Sequence, residues 1–225
     1  MTVGIIGAMK VEVDSLVQQM HITESENISG NIFFHGTFNN NEIIIVESGI
    51  GKVNAAVCTQ SLILRYAPEY VINIGVAGGL SKSLKFGDVV AASSVVQYDI
   101  DTSVFGDPIG LIPKINLVNI DCSDILNNLL LGIDSGIKLG VIATGDKFIK
   151  SIDEVEYVSR HFNAMAIDME SGSIGQVCRI NNTGFAIIRS ISDNACDSAG
   201  IEYETNLSDA AEKPIELVRK LLNLI

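Results

Sequence analysis

Six short runs of β-prone apolar residues recur along the chain, at Val3–Ile6, Ile43–Glu47, Tyr70–Ile74, Asp88–Val96, Lys138–Ala143 and Gly184–Arg189. Several are apolar at every position rather than at alternate ones, and a strand of that kind has to be covered on both faces. The intervening stretches carry helical spacing. Val53, Ala56, Val57 and Leu64 share one helical face, and Val155, Val158 and Phe162 form a stripe after Ser151-Ile-Asp-Glu154, which has capping-box form. Ile174, Val177 and Cys178 give another such face, and a helical pattern returns from Ser208, with Pro214 as its kink or second start. Strands alternating with helices specify an α/β fold of three layers, α/β/α, around a mixed, largely parallel central sheet. With 225 residues and no linker, repeat or low-complexity tract, residues 1–225 are expected to form one domain.

Charge and composition exclude several functions. A net charge of -12 gives no footing on nucleic acid or on an anionic membrane. No stretch of about 18 apolar residues is present, so no membrane span is expected. The N-terminal apolar run is too short, and too poor in flanking charge, for a signal peptide, which points to a cytoplasmic protein. Cys58, Cys122, Cys178 and Cys196 lack C-x-x-C spacing and read as reduced, mostly buried thiols. His21, His35 and His161 are isolated, so neither a metal site nor a cofactor is expected, and carboxylates are left to carry the chemistry.

In open α/β sheets, ligands bind beyond the carboxyl ends of the strands. After the first strand the chain reads Gly7-Ala8-Met9 and then Glu12, without the third glycine of a dinucleotide fingerprint. After the third comes GVAGGL, Gly75 to Leu80; another apolar segment ends in AIDMES, Ala166 to Ser171; and the last strand runs into ISDNACD, with Ser192 and Asp193. Taken singly, each acid has a plain explanation. Glu12 and Glu170 suit the start of a helix, Asp168 can accept from nearby amides, Asp193 can cap a turn, and Gly78-Gly79 can make one. Spacing alone thus yields a candidate pocket with several carboxylates.

Seven stretches, in order, carry more: GIIGAMKVE (Gly4–Glu12), SGIGKVNAA (Ser48–Ala56), GVAGGL, YDIDTSVFG (Tyr98–Gly106), TGDKFI (Thr144–Ile149), DMES (Asp168–Ser171) and RSISD (Arg189–Asp193). On these the chain resembles the 5′-methylthioadenosine/S-adenosylhomocysteine nucleosidases, within the wider purine nucleoside phosphorylase family. The resemblance implies catalytic roles for Glu12, which activates the attacking water, and Asp193, which protonates adenine at N7 with Ser192 beside it. It implies that Glu170 holds the ribose hydroxyls over Met169, that adenine stacks on Phe148 and is read by the backbone of Ile149, and that Met9 and Ile50 lie near the ribose. Arg189 would orient the acids and Tyr203 would close the 5′-pocket. It further implies a homodimer in which Phe105 and Pro113 of one subunit are lent to the neighbouring site.

Three positions depart from the family pattern: Val76 replaces a hydroxyl residue near the water, Thr102 an apolar residue at the intersubunit pocket edge, and Asp168 the commoner, longer Glu on the ribose side. The implied reaction is hydrolysis of 5′-methylthioadenosine and S-adenosylhomocysteine, with 5′-deoxyadenosine or a futalosine-type nucleoside as related substrates. Two rivals are a phosphorylase of the same fold and a non-catalytic nucleoside-binding protein. The five arginines, Arg65, Arg160, Arg179, Arg189 and Arg219, supply no pair near the early loops to bind phosphate. Pure binding, for its part, has no need of a general acid together with a general base.

Overall fold

The structure is a computed structural model that describes residues 1–39, 41–195 and 199–225, with the backbone alone at residue 202. Its strands are β1 (Thr2–Gly7), β2 (His21–Ile28), β3 (Asn31–Phe38), β4 (Asn41–Glu47), β5 (Tyr70–Gly79), β6 (Val89–Gln97), β7 (Ile120–Asp121), β8 (Lys138–Thr144), β9 (Ala164–Asp168) and β10 (Gly184–Asp193). The helices are α1 (Lys10–Val17), α2 (Lys52–Tyr66), α3 (Asp124–Ile133), α4 (Ile152–Phe162), α5 (Ser171–Asn181) and α6 (Ala199–Leu221). Helices cover both faces of one mixed sheet: α2 and α5 pack together on one side, and α1 and α3 pack with α6 on the other. Three hydrophobic clusters fill the interior, one including Ile6, Ile44, Leu62, Ile142 and Ile187, a second Ile5, Ile45, Ile72, Leu130 and Val218, and a third Val96, Val158, Phe162 and Ile167 at α4.

Parallel ladders join β4, β1, β5 and β10, and also β6, β8 and β9, while antiparallel pairings link these sets and form the β2–β3–β4 edge. The order β10–β6–β8–β9–β5, with β5 pairing back to β10, closes five strands into a ring. Closure depends on β5 changing partners along its length. Its first half lies between β1 and β10, and its last two residues pair antiparallel with β9, Gly78 opposite Ile167 and Gly79 opposite Ala166.

Several expectations are corrected by this ring. β5 and β10 run on past Ile74 and Arg189, so Gly78-Gly79 is strand and not turn, and Ser192 and Asp193 belong to β10 instead of following it. The final helix begins at Ala199, before Ser208, and passes through Pro214 without ending. On α2 the buried face is Ala55, Cys58, Thr59 and Leu62, while Val53, Val57 and Leu64 are exposed, because α5 and the sheet cover the other side. α4 starts after Ser151 as the pattern indicates, but the Ser151 side chain makes no cap hydrogen bond. Cys58, Cys122 and Cys178 are free and buried; Cys196 lies outside the described residues.

Candidate active site

A cavity of about 210 Å³ opens at the ends of β1, β5, β9 and β10 and is roofed by the start of α6. Of the residues singled out from sequence, Met9, Glu12, Ile50, Val76, Phe148, Ile149, Asp168, Met169, Glu170, Ser192, Asp193 and Tyr203 line it.

Glu12 is the third residue of α1 and is 2 % exposed. Its Oε2 accepts from the N–H groups of Ala8 (2.7 Å) and Met9 (3.0 Å), the second bond being the helix-capping contact that a Glu at this position makes. Its Oε1 accepts from Val76 N–H of β5 at 3.1 Å. Burial pushes the Glu12 pKa up, against the opposing pull of Arg189 and of the three amides. The space it occupies depends on glycine, since a Cβ on Gly75 would sit 2.5 Å from Glu12 Oε1 and one on Gly7 3.0 Å from Glu12 Cβ.

Asp193 is held at the far end of β10, accepting from Ser192 Oγ and from Ala195 N–H, each at 2.8 Å. Gly78 of β5 lies against it, where a Cβ would meet Asp193 Oδ1 at 3.2 Å. Glu170 precedes α5, and its Oε1 accepts from Gly51 N–H at 2.9 Å. Burial and the neighbouring Asp168 push its pKa up to about 7, with Arg189 and the Gly51 amide opposing. Tyr203 senses all three acids: burial together with Glu12, Glu170 and Asp193 pushes its phenol up to about 12. Its ring meets Phe148 edge-on at 5.7 Å and its Oη lies 3.1 Å from Met9 Sδ, so these three side chains form the rim.

Beneath the cavity Asp168 and Arg189 form a buried ion pair at 2.8 Å. The Asp168 carboxylate also accepts from Thr144 Oγ1 (2.6 Å) and from the Ser171 hydroxyl, and Arg189 donates to Asn73 and to Ser171 Oγ. Both Asp168 oxygens are thus engaged away from the cavity that the residue lines. Arg189 itself does not line the cavity; it is the positive charge in the floor. Thr102, Phe105 and Pro113 are also absent from the lining. They lie on the segment after β6, where Thr102 Oγ1 bonds Asp107 (2.8 Å), Phe105 is 84 % exposed and Pro113 is exposed.

Ala8, Ala77, Gly78, Lys147, Ile167 and Ala195, to which the sequence assigned no site role, complete the lining. Ala8, Ala77, Gly78 and Lys147 lie within the quoted motifs, but the alanines and the glycine offer the cavity only small side chains or backbone, so residue type gave no signal there. Lys147 is the single cation of the lining and is paired with Glu154. Among the described residues no group of three or more His, Cys, Asp or Glu could hold a metal ion, and no helix is long and apolar enough to cross a membrane.

Residues 2–223 match the phosphorylase superfamily. Among curated proteins the chain is 35% identical to an aminodeoxyfutalosine nucleosidase of Helicobacter pylori, covering 98% of both chains, and 35% identical to a 5′-methylthioadenosine/S-adenosylhomocysteine nucleosidase of Oceanobacillus iheyensis, covering 100% of both. Among solved structures it superposes with a TM-score of 0.96 on a mutant Helicobacter pylori nucleosidase holding 5′-methylthioadenosine in the active site, at 34% identity over 100% of this chain and 99% of that one. A Colwellia psychrerythraea nucleosidase in complex with adenine superposes with a TM-score of 0.93 at 36% identity, over 99% and 95%. The chain therefore belongs to the phosphorylase superfamily, in the branch formed by the 5′-methylthioadenosine/S-adenosylhomocysteine nucleosidases and their aminodeoxyfutalosine nucleosidase relatives.

Proposed function

We propose that this protein is an N-glycosyl hydrolase that cleaves 5′-methylthioadenosine and S-adenosylhomocysteine to adenine and the corresponding 5-thioribose. The observation that carries this reading is the entry of Glu12, Glu170 and Asp193 into one small cavity whose single cation is already paired. Adenine stacks on Phe148 and is read by the backbone of Ile149; the ribose lies over Met169, beside Met9 and Ile50, with its hydroxyls donating to Glu170.

Asp193 gives its proton to adenine N7, the C1′–N9 bond breaks, and the electron pair leaves with the base. Ser192 Oγ and Ala195 N–H are placed to hold the carboxylate that remains. Positive charge grows at C1′ as in other glycoside cleavages, facing the buried acids. A water then bonds to C1′ and yields a proton to Glu12, and solvent resets both groups. Carboxylates at this place disfavour phosphate as the nucleophile. The 5′-substituent is remote from the reacting atoms, so 5′-deoxyadenosine and aminodeoxyfutalosine fall within the same chemistry. A second copy of the chain completes the site, lending Phe105 and Pro113 to the 5′-pocket; exposed Ile50, Val53, Val57, Val104 and Phe105 are the apolar groups it would cover. The free, buried thiols suit a reducing compartment, and we place the protein in the cytoplasm.

Two variants test the assignment. Asp193→Asn removes the proton donor and Glu12→Gln the base, and each is expected to lower kcat at least about 10²-fold in folded protein. Wild-type turnover in either would overturn that residue's role.

A further inference from the structure

Among the charged motif residues that the reaction leaves unassigned are Lys52 in SGIGKVNAA, Asp99 in YDIDTSVFG and Asp146 in TGDKFI. The structure brings them into a closed ring. Asp146 Oδ1 accepts from Lys52 N–H at 2.8 Å, Lys52 Nζ pairs with Asp99 Oδ1 at 2.6 Å, and Asp99 Oδ2 accepts from Asp146 N–H at 3.1 Å. Two of its three bonds come from backbone amides, so the ring fixes main chain as well as side chains.

The ring sits at a helix start that lacks a cap of its own. The N-cap of α2 is Gly51, which has no side chain to bond the orphan amides of the first turn. Asp146 supplies that acceptor from the turn after β8, and its charge suits the positive end of the helix. Glycine permits the approach: Gly51 has φ +98°, and a Cβ there would lie 3.2 Å from Asp146 Oδ1. On one side of this contact Gly51 N–H holds Glu170; on the other, two residues beyond Asp146, Phe148 enters the cavity.

We infer that Asp146 is a positioning residue: by capping α2 from a distant turn it locks the Phe148–Ile149 turn to the Gly51–Glu170 contact. The distance between the base and ribose subsites is then set by one carboxylate–amide bond and not by two independent loops. Asp99, paired with the Lys52 ammonium, holds the main chain of Asp146 in register. The subsite roles rest on the proposed nucleosidase reaction; the capping contact does not.

Asp146 is exposed, so its variants are expected to fold. Asp146→Ala and Asp146→Asn in the full chain are compared by adenine release from 5′-methylthioadenosine and by amide hydrogen exchange at Gly51 and Lys52. Asp146→Ala is expected to raise KM roughly tenfold with kcat changed less than about threefold, and to speed exchange at both amides. Asp146→Asn keeps the acceptor oxygen and is expected to restore both to within about threefold of wild type. A KM unchanged in Asp146→Ala, or Asp146→Asn as impaired as Asp146→Ala, would overturn the inference. Should the wild-type chain release no adenine, the reaction assignment falls, while unchanged exchange in Asp146→Ala would separately refute the capping role and faster exchange would uphold it.

Discussion

Glu12 satisfies two demands with one carboxylate. Oε2 caps α1 and Oε1 reaches across to β5, so the contacts that make this residue a helix-start acid also fix the carboxylate that the proposed reaction uses as its base. Gly75 makes that reach possible. Gly75→Ala is expected to cut kcat by about tenfold or more while circular dichroism stays native, because the added Cβ must displace Oε1; unchanged turnover would contradict this. Glu170 gives a pH signature. With its pKa pushed up to about 7 in the free protein, Glu170 should give kcat/KM an ascending limb near pH 7 that Glu170→Gln lacks, since ribose binding needs the carboxylate, while the Asp193 proton sets the descending limb. The same limb in wild type and Glu170→Gln would count against its role. Stability runs the other way: the folded chain binds an extra proton between the ordinary Glu pKa of 4.5 and about 7, so stability declines as pH rises through that window. Glu170→Gln should therefore raise Tm at pH 8 relative to wild type, with little difference at pH 4.5. Equal Tm differences at the two pH values would show that no such penalty exists.

Among the elements, legibility followed burial. Strands apolar at every position, such as Val3–Ile6 and Ile43–Glu47, declare themselves in sequence because both faces are covered. The β2–β3 hairpin did not, since β2 (HITESENI) is almost wholly exposed and carries no apolar alternation. The hairpin's turn at Ser29-Gly30, with φ of 53° and 84°, is the one local sign of it. The ends of β5 and β10 were hidden for a different reason: Gly75, Gly78 and Gly79 look like loop residues, and only the pairing of β5 with β9 and β10 makes them strand. The first turns of α6 are mostly exposed, yet they bring Tyr203 over the cavity, which no periodicity could announce. The acids at the strand ends were readable as a group through ordered motifs. Their floor was not: Asn73, Thr144 and Ser171, which hold Asp168 and Arg189, are ordinary residues until the fold joins them.

For the whole molecule, the fold leaves an apolar surface that the proposed second copy would cover. Val53, Val57 and Leu64 expose one stripe of α2. Val57→Lys is expected to shift the protein toward monomer in sedimentation at micromolar concentration and to lower activity with it. Phe105→Ala is expected to raise KM for 5′-methylthioadenosine several-fold while adenine affinity stays constant, because the 5′-pocket alone loses a wall. A fully active monomer would contradict the shared site. The most direct test of the central claim is adenine release from 5′-methylthioadenosine, followed in phosphate-free buffer and again with added phosphate. A hydrolase gives rapid release without phosphate, with free methylthioribose and no acceleration when phosphate is supplied; release that requires phosphate and yields a sugar 1-phosphate would make the protein a phosphorylase and overturn the role of Glu12.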